Sequence, residues 1–481
     1  MDQNPLANLK EKTMAASTTA NHTRPELVRA LNVWHAIAIV AGTIIGSGIF
    51  RVQGEMMQDV GSAGLVYLVW IVGGLLSFAG ALTYAELGAI KPWAGGEYVY
   101  VRDAYGPLPG FLYAWTWFLI AKPASIATVT TGIVDVLGTF PSLSFLGNHI
   151  FTLHFTRTNA FEITYGTLVA IAATVLISAL NYVGVRKAGS FQLVLTTLKV
   201  VMIVAIIFIG FTATQGTWGN FHTTFLGAKG GMAGFMAALV AALWAYDGWN
   251  DLNMVSGEIK EPGRTIPVAL ISGVALVAFL YMGINAAVQY VMPAGTIAGL
   301  KVPASVATQI AIGSLGAALV SAGMAFSMFV TLNGTIMSGG RVPFAVARDG
   351  YFFKALAEVH PRFHTPALAL VVQAVLAIVL LLVGGAFKDL FSLAIFAEWL
   401  FYMIAASTIF VFRKREPDTP RPYRTWGYPV VPGLFIVAAA VLLYYTFTDN
   451  LRNSIAGTLV ILAGVPVYLY FAARKGVTAQ N

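Results

Sequence analysis

The chain has 481 residues, of which 57% are hydrophobic and 10% are charged, and its formal net charge is +8 at pH 7. Soluble domains carry about 25% charged residues, so this composition excludes a soluble protein and predicts an integral membrane protein. Cysteine is absent, which excludes disulfide bonds and thiolate metal sites.

Apolar windows long enough to cross a bilayer recur along nearly the whole chain. They predict twelve membrane spans, preceded by a short polar N-terminal tail at residues 1–30. The tail lacks the basic head, short apolar core and cleavage site of a signal peptide. The predicted spans lie near residues 33–56, 63–90, 107–138, 163–184, 190–212, 232–256, 267–291, 306–339, 366–385, 389–412, 429–448 and 454–473.

Basic residues are unevenly distributed among the loops that these spans would separate. With a cytoplasmic N-terminus, the loops and tails on that side hold 21 of the 29 Lys and Arg residues. This asymmetry follows the positive-inside rule. It predicts a cell-membrane protein with both termini in the cytoplasm, and it attributes the positive net charge to topology rather than to nucleic acid binding.

The first predicted span is interrupted in its middle by the sequence GTIIGSGIF at residues 42–50. Unwound backbone is tolerated inside a membrane only where it is buried in protein or lines a cavity. The N–H groups of Ser47, Gly48 and Ile49 would begin an outer half-helix, whose positive dipole end suits a carboxylate. The carbonyls that end the inner half, including that of Ile44, would suit an ammonium. The break therefore predicts a zwitterion site, and close helix packing through small residues is the alternative.

The sixth predicted span carries a second interruption, WAYDGWN at residues 244–250. Two breaks separated by five spans are typical of transporters built from two inverted five-helix repeats. The third and eighth spans, both unusually long, form another matched pair. We predict an all-α transporter domain at residues 31–476, with repeats at about 31–212 and 230–413 and additional helices at 428–473.

Three polar or aromatic residues in the second break are candidate substrate contacts. Asp247 lies at mid-depth, where a carboxylate costs about 2.5–3.5 kcal/mol. It could face the cationic group of a substrate, or it could cap the following half-helix beside Gly248. Trp244 could cover a substrate or pack in the core. Asn250 lies next to the unwound turn and is the third candidate.

Other charged residues lie deep in the predicted spans. Lys199 in the fifth span could exchange a proton during transport, or it could be a fixed cation that joins helices. Glu398 in the tenth span and Lys122 in the third could pair, or Glu398 could contact a substrate side chain. The sequence has no metal-ligand spacing and no nucleophile–base pair, so we expect neither a cofactor, nor a metal, nor an enzyme active site.

The two interrupted segments, together with four further sequence strings, resemble the amino acid–polyamine–organocation superfamily, and specifically its L-amino acid transporter-like branch. The resemblance runs nearly from end to end of the chain. It implies a LeuT-type fold of two inverted five-helix repeats plus two helices, with helices 1 and 6 discontinuous. The strings that carry it are GTIIGSGIF (42–50), WAGGEYVYVRDAYGPLPGFLYAW (93–115), WAYDGWNDLN (244–253), EIKEPGRTIPVA (258–269), GRVPFAVARDG (340–350) and AEWLFY (397–402).

The resemblance also implies where an amino acid would bind. The N–H groups of Ser47 and Gly48 would bind its carboxylate. Carbonyls near Ile44, Trp244 and Asp247 would bind its α-amino group, and Trp244 would occupy the position of the family's aromatic gate.

Three further positions follow from the resemblance. Ser125 and Trp399 would lie near the pocket for the substrate side chain. Lys199 matches a fifth-span lysine that takes the place of a sodium ion in many members, so sodium-independent transport is expected. Asp247 replaces a small residue of the large-neutral-amino-acid carriers, which leaves the substrate range open.

The expected function is sodium-independent amino acid transport by alternating access, as an exchanger. Neutral amino acids are the first expectation, and cationic ones are the second. Proton-coupled symport is an alternative mechanism, and a transporter-like amino acid sensor is an alternative class. Eukaryotic members of the branch commonly join a single-span subunit through a disulfide, which a chain without cysteine cannot form.

Overall fold

The computed structural model describes residues 26–154, 160–383, 387–449 and 451–480. Most of the predicted N-terminal tail therefore lies outside the described residues. The described part is predominantly helical. Its one sheet is a short antiparallel hairpin of β1 (His149–His154) and β2 (Ala160–Thr164).

The first predicted span is formed by two helices, α1 (Val33–Ile44) and α2 (Gly48–Val60), which are bent by 41° at the break between them. A π-helical turn, Trp117–Ala121, joins two later helices into one span of 31 residues. The other helices of the first half are α3 (Ala63–Ile90), α4 (Glu97–Tyr105), α5 (Pro107–Thr116), α6 (Lys122–Leu137), α7 (Tyr165–Tyr182) and α8 (Val185–Phe211).

The sixth predicted span is also broken: α9 (Gly231–Ala245) is followed by a turn and by the short helix α10 (Asp251–Met254). Both predicted interruptions are thus confirmed. The remaining helices are α11 (Pro262–Val291), α12 (Ala294–Ile297), α13 (Pro303–Ile312), α14 (Ser314–Gly339), α15 (Arg341–Arg348), α16 (Ala367–Val383), α17 (Phe387–Arg415), α18 (Val430–Asp449), α19 (Leu451–Leu462) and α20 (Gly464–Gln480).

Eight helical segments of the described residues are long and apolar enough to cross a membrane, and the bent pair α1–α2 makes up to nine. The third and eighth predicted spans are the longest, as expected. They correspond to Pro107–Leu137, with 31 residues, and to Ser314–Arg348, with 35 residues, which comprises α14 and α15. Helices α9 and α16 are apolar but shorter. Length and composition therefore support a multi-span membrane protein without establishing the predicted total of twelve.

Helix α8 shows how these helices divide between lipid and protein. One face exposes Val194, Leu198, Val201, Val204 and Phe208. Side chains at this spacing share one side of a helix, and an exposed apolar stripe suits contact with lipid. The opposite face is buried, packs against α1, α11 and α14, and includes Gln192, Thr196 and Lys199. The fifth span therefore directs its lysine toward the first.

Candidate substrate-binding site

A cavity of about 560 Å³ lies where the two broken spans meet α6, α14 and α17. Seven of the nine predicted substrate contacts line this cavity. They are Ile44, Ser47, Gly48, Ser125, Trp244, Asp247 and Asn250.

The other two predicted contacts lie outside the described lining of the cavity. Ile49 is only 3% exposed and belongs to the hydrophobic core. Trp399 packs against Tyr402 and Phe435, with ring centroids 5.6 and 6.4 Å away. These two side chains can support the wall of the cavity rather than contact its contents.

The cavity is open at one end and closed at the other. Arg51 and Asp135 line it and are solvent-exposed, whereas Asn250 and Asp251 line it and are 1% exposed. The open end is the side that the charge distribution predicts to be extracytoplasmic.

Beyond the closed end, Arg341 and Glu258 form a fully buried ion pair, with Nε and Oε2 2.8 Å apart. Leu31, just before α1, pairs with Ile259 and adds to this closure.

The first break presents backbone donors to the cavity. Helix α2 begins at Gly48, and its N-cap residue Ser47 makes no side-chain capping bond. The first N–H groups of a helix have no acceptor within the helix, so they are available to an anion. A Cβ atom on Gly48 would lie 3.0 Å from the Cβ of Ala245 and 3.4 Å from the Trp244 ring. The missing side chain therefore leaves room beside the indole.

One tyrosine links the carbonyl ends of the two broken spans. The hydroxyl of Tyr281 on α11 lies 3.2 Å from the carbonyl oxygen of Ile44 and 2.8 Å from that of Ala245. The Ile44 carbonyl also accepts a hydrogen bond from the N–H of Gly46, at 2.8 Å. An ammonium bound at Ile44 would thus share an oxygen that already has protein donors.

The fifth-span lysine is held by the backbone of the first break. The Nζ of Lys199 donates to the carbonyl oxygens of Gly42 and Ile45, at 2.9 and 2.6 Å. The hydroxyl of Thr331 on α14 approaches the same carbonyls at 3.0 and 3.1 Å, and Ser327 donates to Ile45 at 2.8 Å. The lysine is fully buried. Its ammonium therefore occupies a cluster of oxygen atoms that would otherwise suit a cation.

The deep lysine of the third span has a partner that sequence reasoning missed. Lys122 forms a buried ion pair with Asp251 on α10, and not the alternative pair with Glu398. Asp251 follows Asp247 by four residues, and this i, i+4 spacing of two acids beside the second break was the available signal.

Glu398 belongs to a second polar group, centred on the hydroxyl of Tyr402 one helical turn along α17. That hydroxyl lies 2.9 Å from Asp247 Oδ1, 2.9 Å from Asn250 Oδ1 and 3.0 Å from Glu398 Oε1. The N-cap of α10 is Asn250 rather than Asp247. Asp247 lines the cavity, and its carboxylate also accepts a hydrogen bond from the backbone N–H of Gly248. We call Asp247, Glu398 and Tyr402 the tyrosine-bridged acid pair.

Glu97, at the start of α4, extends this group toward the closed end. The Asn250 amide donates to Glu97 at 2.6 Å, and the Tyr113 hydroxyl lies 3.3 Å from the same carboxyl group. Burial raises the pKa of Glu97 to about 7. Sequence reasoning did not single out Glu97, because it follows two glycines in a segment between spans.

Comparison with known proteins finds matches that extend over nearly the whole chain. Residues 31–471 match the family model described as amino acid permease. The chain is 32% identical over 458 residues to the serine/threonine exchanger SteT of Bacillus subtilis (strain 168). This alignment covers 93% of this chain and 98% of that protein. The chain is 30% identical over 462 residues to the b(0,+)-type amino acid transporter 1 of Homo sapiens, in an alignment that covers 95% of this chain and 90% of that protein. It is also 30% identical over 447 residues to the cystine/glutamate transporter of Homo sapiens, in an alignment that covers 93% of this chain and 86% of that protein.

Proposed function

Since the chain belongs to the amino acid permease family, and is therefore a multi-span membrane transporter rather than an enzyme, we propose that it exchanges amino acids without sodium. The observation that carries this proposal is the pair of half-helix ends at the first break. Free N–H donors begin α2 at Gly48 and carbonyl acceptors end α1 at Ile44, both at the cavity. This pair is complementary to the two charges of a free amino acid.

The substrate would bind with its carboxylate on the N–H groups of Ser47 and Gly48. Its α-ammonium would lie at the Ile44 carbonyl and at the carbonyls near Trp244 and Asp247. Its side chain would then extend toward Ser125 and the acidic side of the cavity. Neutral amino acids are the first substrates we propose, and Asp247 supports cationic ones as well.

Independence from sodium is supported by Lys199. Its ammonium already lies among the carbonyls of Gly42 and Ile45 and the hydroxyl of Thr331, the kind of oxygen cluster in which a sodium ion would bind. A sodium ion among the same oxygen atoms would be strongly repelled by the ammonium of Lys199.

Alternating access is supported by the one-sided cavity. Opening the closed end would require the Arg341–Glu258 pair and the Leu31–Ile259 contact to separate. We propose that the inner half of the first span, α1, moves in that step, with both termini on the cytoplasmic side. The absence of cysteine supports a transporter that works without a disulfide-linked subunit.

The test is uptake of radiolabelled alanine, leucine and arginine by proteoliposomes of the purified protein. Vesicles would be empty or loaded with unlabelled amino acid, in sodium or choline buffer, with and without a pH gradient. We expect uptake that requires internal amino acid and is equal in the two buffers. Uptake into empty vesicles driven by an inward proton gradient would instead support symport. Binding without flux would support a sensor, and a sodium requirement would overturn the role of Lys199.

A further inference from the structure

The Tyr402 hydroxyl of the tyrosine-bridged acid pair has fewer protons than it has oxygen neighbours. A phenol carries one O–H proton, and three oxygen atoms lie within 3.0 Å of the Tyr402 hydroxyl. One of them is Oδ1 of Asn250, which is an acceptor because the amide nitrogen of the same side chain donates to Glu97. If Asp247 and Glu398 were both ionised, two of the three contacts would join lone pairs to lone pairs.

The surrounding side chains do not supply the missing positive charge. The lysine packed against this group is Lys122 of α6, and it is paired with Asp251 of α10. The other titratable groups facing the pair are Glu97 of α4 and Tyr84 of α3, and Tyr113 of α5 lies behind them, in contact with Glu97. They are acids or phenols, so they add no cation.

The acid pair is nevertheless in contact with the substrate cavity. Asp247 and Glu398 both line it, next to the Trp244 and Ser47 positions that would bind the substrate backbone. The side chain of a bound amino acid would therefore reach the pair, and so would water from the open end.

We propose that the tyrosine-bridged acid pair binds one positive charge in each loaded state: a proton when the substrate is neutral, and the side chain of the substrate when it is cationic. The proton adds to a carboxylate oxygen of Asp247 or Glu398 from the aqueous phase that the cavity faces. It returns to that phase when a lysine or arginine side chain replaces it. This inference rests on the proposed function.

The proposal has a consequence for exchange between unlike substrates. A neutral amino acid moving in would carry one proton with it, and a cationic amino acid moving out would carry none. The two directions then transport equal charge, so the exchange moves one proton per cycle and no net charge. Exchange between two neutral or two cationic amino acids would move no net proton.

The experiment uses proteoliposomes of the full chain, loaded with arginine and a luminal pH dye, with alanine added outside. We expect the lumen to gain one proton per alanine taken up, at a rate independent of membrane potential. Alanine-loaded vesicles should exchange alanine without a pH change. If alanine–arginine exchange leaves the luminal pH unchanged and responds to potential, the proposal is overturned while the exchanger function stands. No exchange in either kind of vesicle would instead contradict the exchanger function.

Equilibrium binding provides a second readout that does not require turnover. Arginine must displace one proton, so its binding should tighten by about tenfold for each unit by which the pH rises, over the range in which the substrate-free pair still holds that proton. Alanine binding should be constant over that range and weaken at higher pH, where the substrate-free pair has lost the proton that must accompany alanine. Arginine that neither binds nor exchanges at any pH would overturn the proposal.

Two variants locate the proton. Glu398→Gln should lower the number of protons per alanine from one toward zero, a ratio that does not depend on how much protein is active. Asp59→Asn is the matched control, because Asp59 pairs with the exposed Lys229, and its ratio should stay at one. If Glu398→Gln does not elute as a folded protein, Asp247→Asn tests the same ratio. A ratio of one in both acid variants would place the proton elsewhere.

Discussion

The hydroxyl oxygen of Thr43 lies 2.9 Å from the carbonyl oxygen of Gly248, and this contact joins the break in the first span directly to the break in the sixth. Gly248 has a φ angle of +104°, and a Cβ atom on it would lie 3.2 Å from the carbonyl carbon of Thr43. The two unwound segments therefore form one unit, held by a contact that admits only glycine.

Gly248→Ala should abolish exchange and lower thermal stability. The substitution forces a left-handed backbone at about 1–3 kcal/mol and also pushes the new methyl group against Thr43. Melting of the detergent-solubilised protein and alanine exchange are the measurements. Gly231→Ala is the control, since Gly231 has a φ of +60° but no neighbour within 4 Å. Equal losses in the two variants would mean that the contact with Thr43 is unimportant.

Ser47→Pro should weaken alanine binding by at least about 100-fold, because it removes a backbone N–H that is proposed to bind the carboxylate. Gly48→Val should do the same by filling the space beside Trp244 and Ala245. Ser47→Ala is the matched control, since it keeps the N–H group and should bind alanine nearly as well as the wild type. Unchanged affinity in Ser47→Pro would refute the site.

Lys199→Met should stop transport and destabilise the fold. The carbonyl oxygens of Gly42 and Ile45 would lose their ammonium donor and keep only the hydroxyls of Ser327 and Thr331 as partners. Each hydrogen bond to the ammonium that is lost costs about 1.5–3 kcal/mol. Lys187→Met tests a solvent-exposed lysine of the same helix and should be neutral. Melting temperature and exchange rate are measured for both. A stable, active Lys199→Met protein would show that the oxygen cluster needs no cation.

Glu97 should make folding stability depend on pH. Its pKa of about 7 lies above its ordinary value of 4.5, so the folded protein binds this proton more tightly than the unfolded chain. Stability should therefore fall as the pH rises from about 5 to 7. Glu97→Gln should flatten this dependence in melting curves, because an amide does not titrate. Its oxygen can still accept from Asn250, so the variant should remain folded. The exposed Glu55→Gln is the control and should leave the slope unchanged.

The topology can be tested by labelling, because the chain has no cysteine of its own. Asp135→Cys at the open end of the cavity should react with a membrane-impermeant maleimide in intact cells. Glu358→Cys, exposed on the opposite side, should react only after permeabilisation. The reverse pattern would mean that the open end faces the cytoplasm and that the predicted orientation is wrong.

Much of the fold and of the site could be predicted from the sequence, because the lipid bilayer restricts which local sequences can cross it as an unbroken helix. Apolar windows indicate spans, and glycines inside a span at Gly46 and Gly48 indicate a break, since lipid does not tolerate free backbone groups. The proposal of a substrate site at both breaks used these signals alone. The division into repeats, which no observation yet tests, stays a prediction.

The partners of the buried charges could not be predicted, because they depend on which helices face each other. The sequence by itself determined that Lys122, Lys199 and Glu398 lie deep in the membrane, where each needs a partner. Only the tertiary structure decided that Lys122 pairs with Asp251, that backbone carbonyls hold Lys199, and that Glu398 shares the Tyr402 hydroxyl with Asp247. Spacing along one helix orders side chains within that helix. It does not specify which neighbouring helix approaches within hydrogen-bond distance, and that packing selects the partner of each charge.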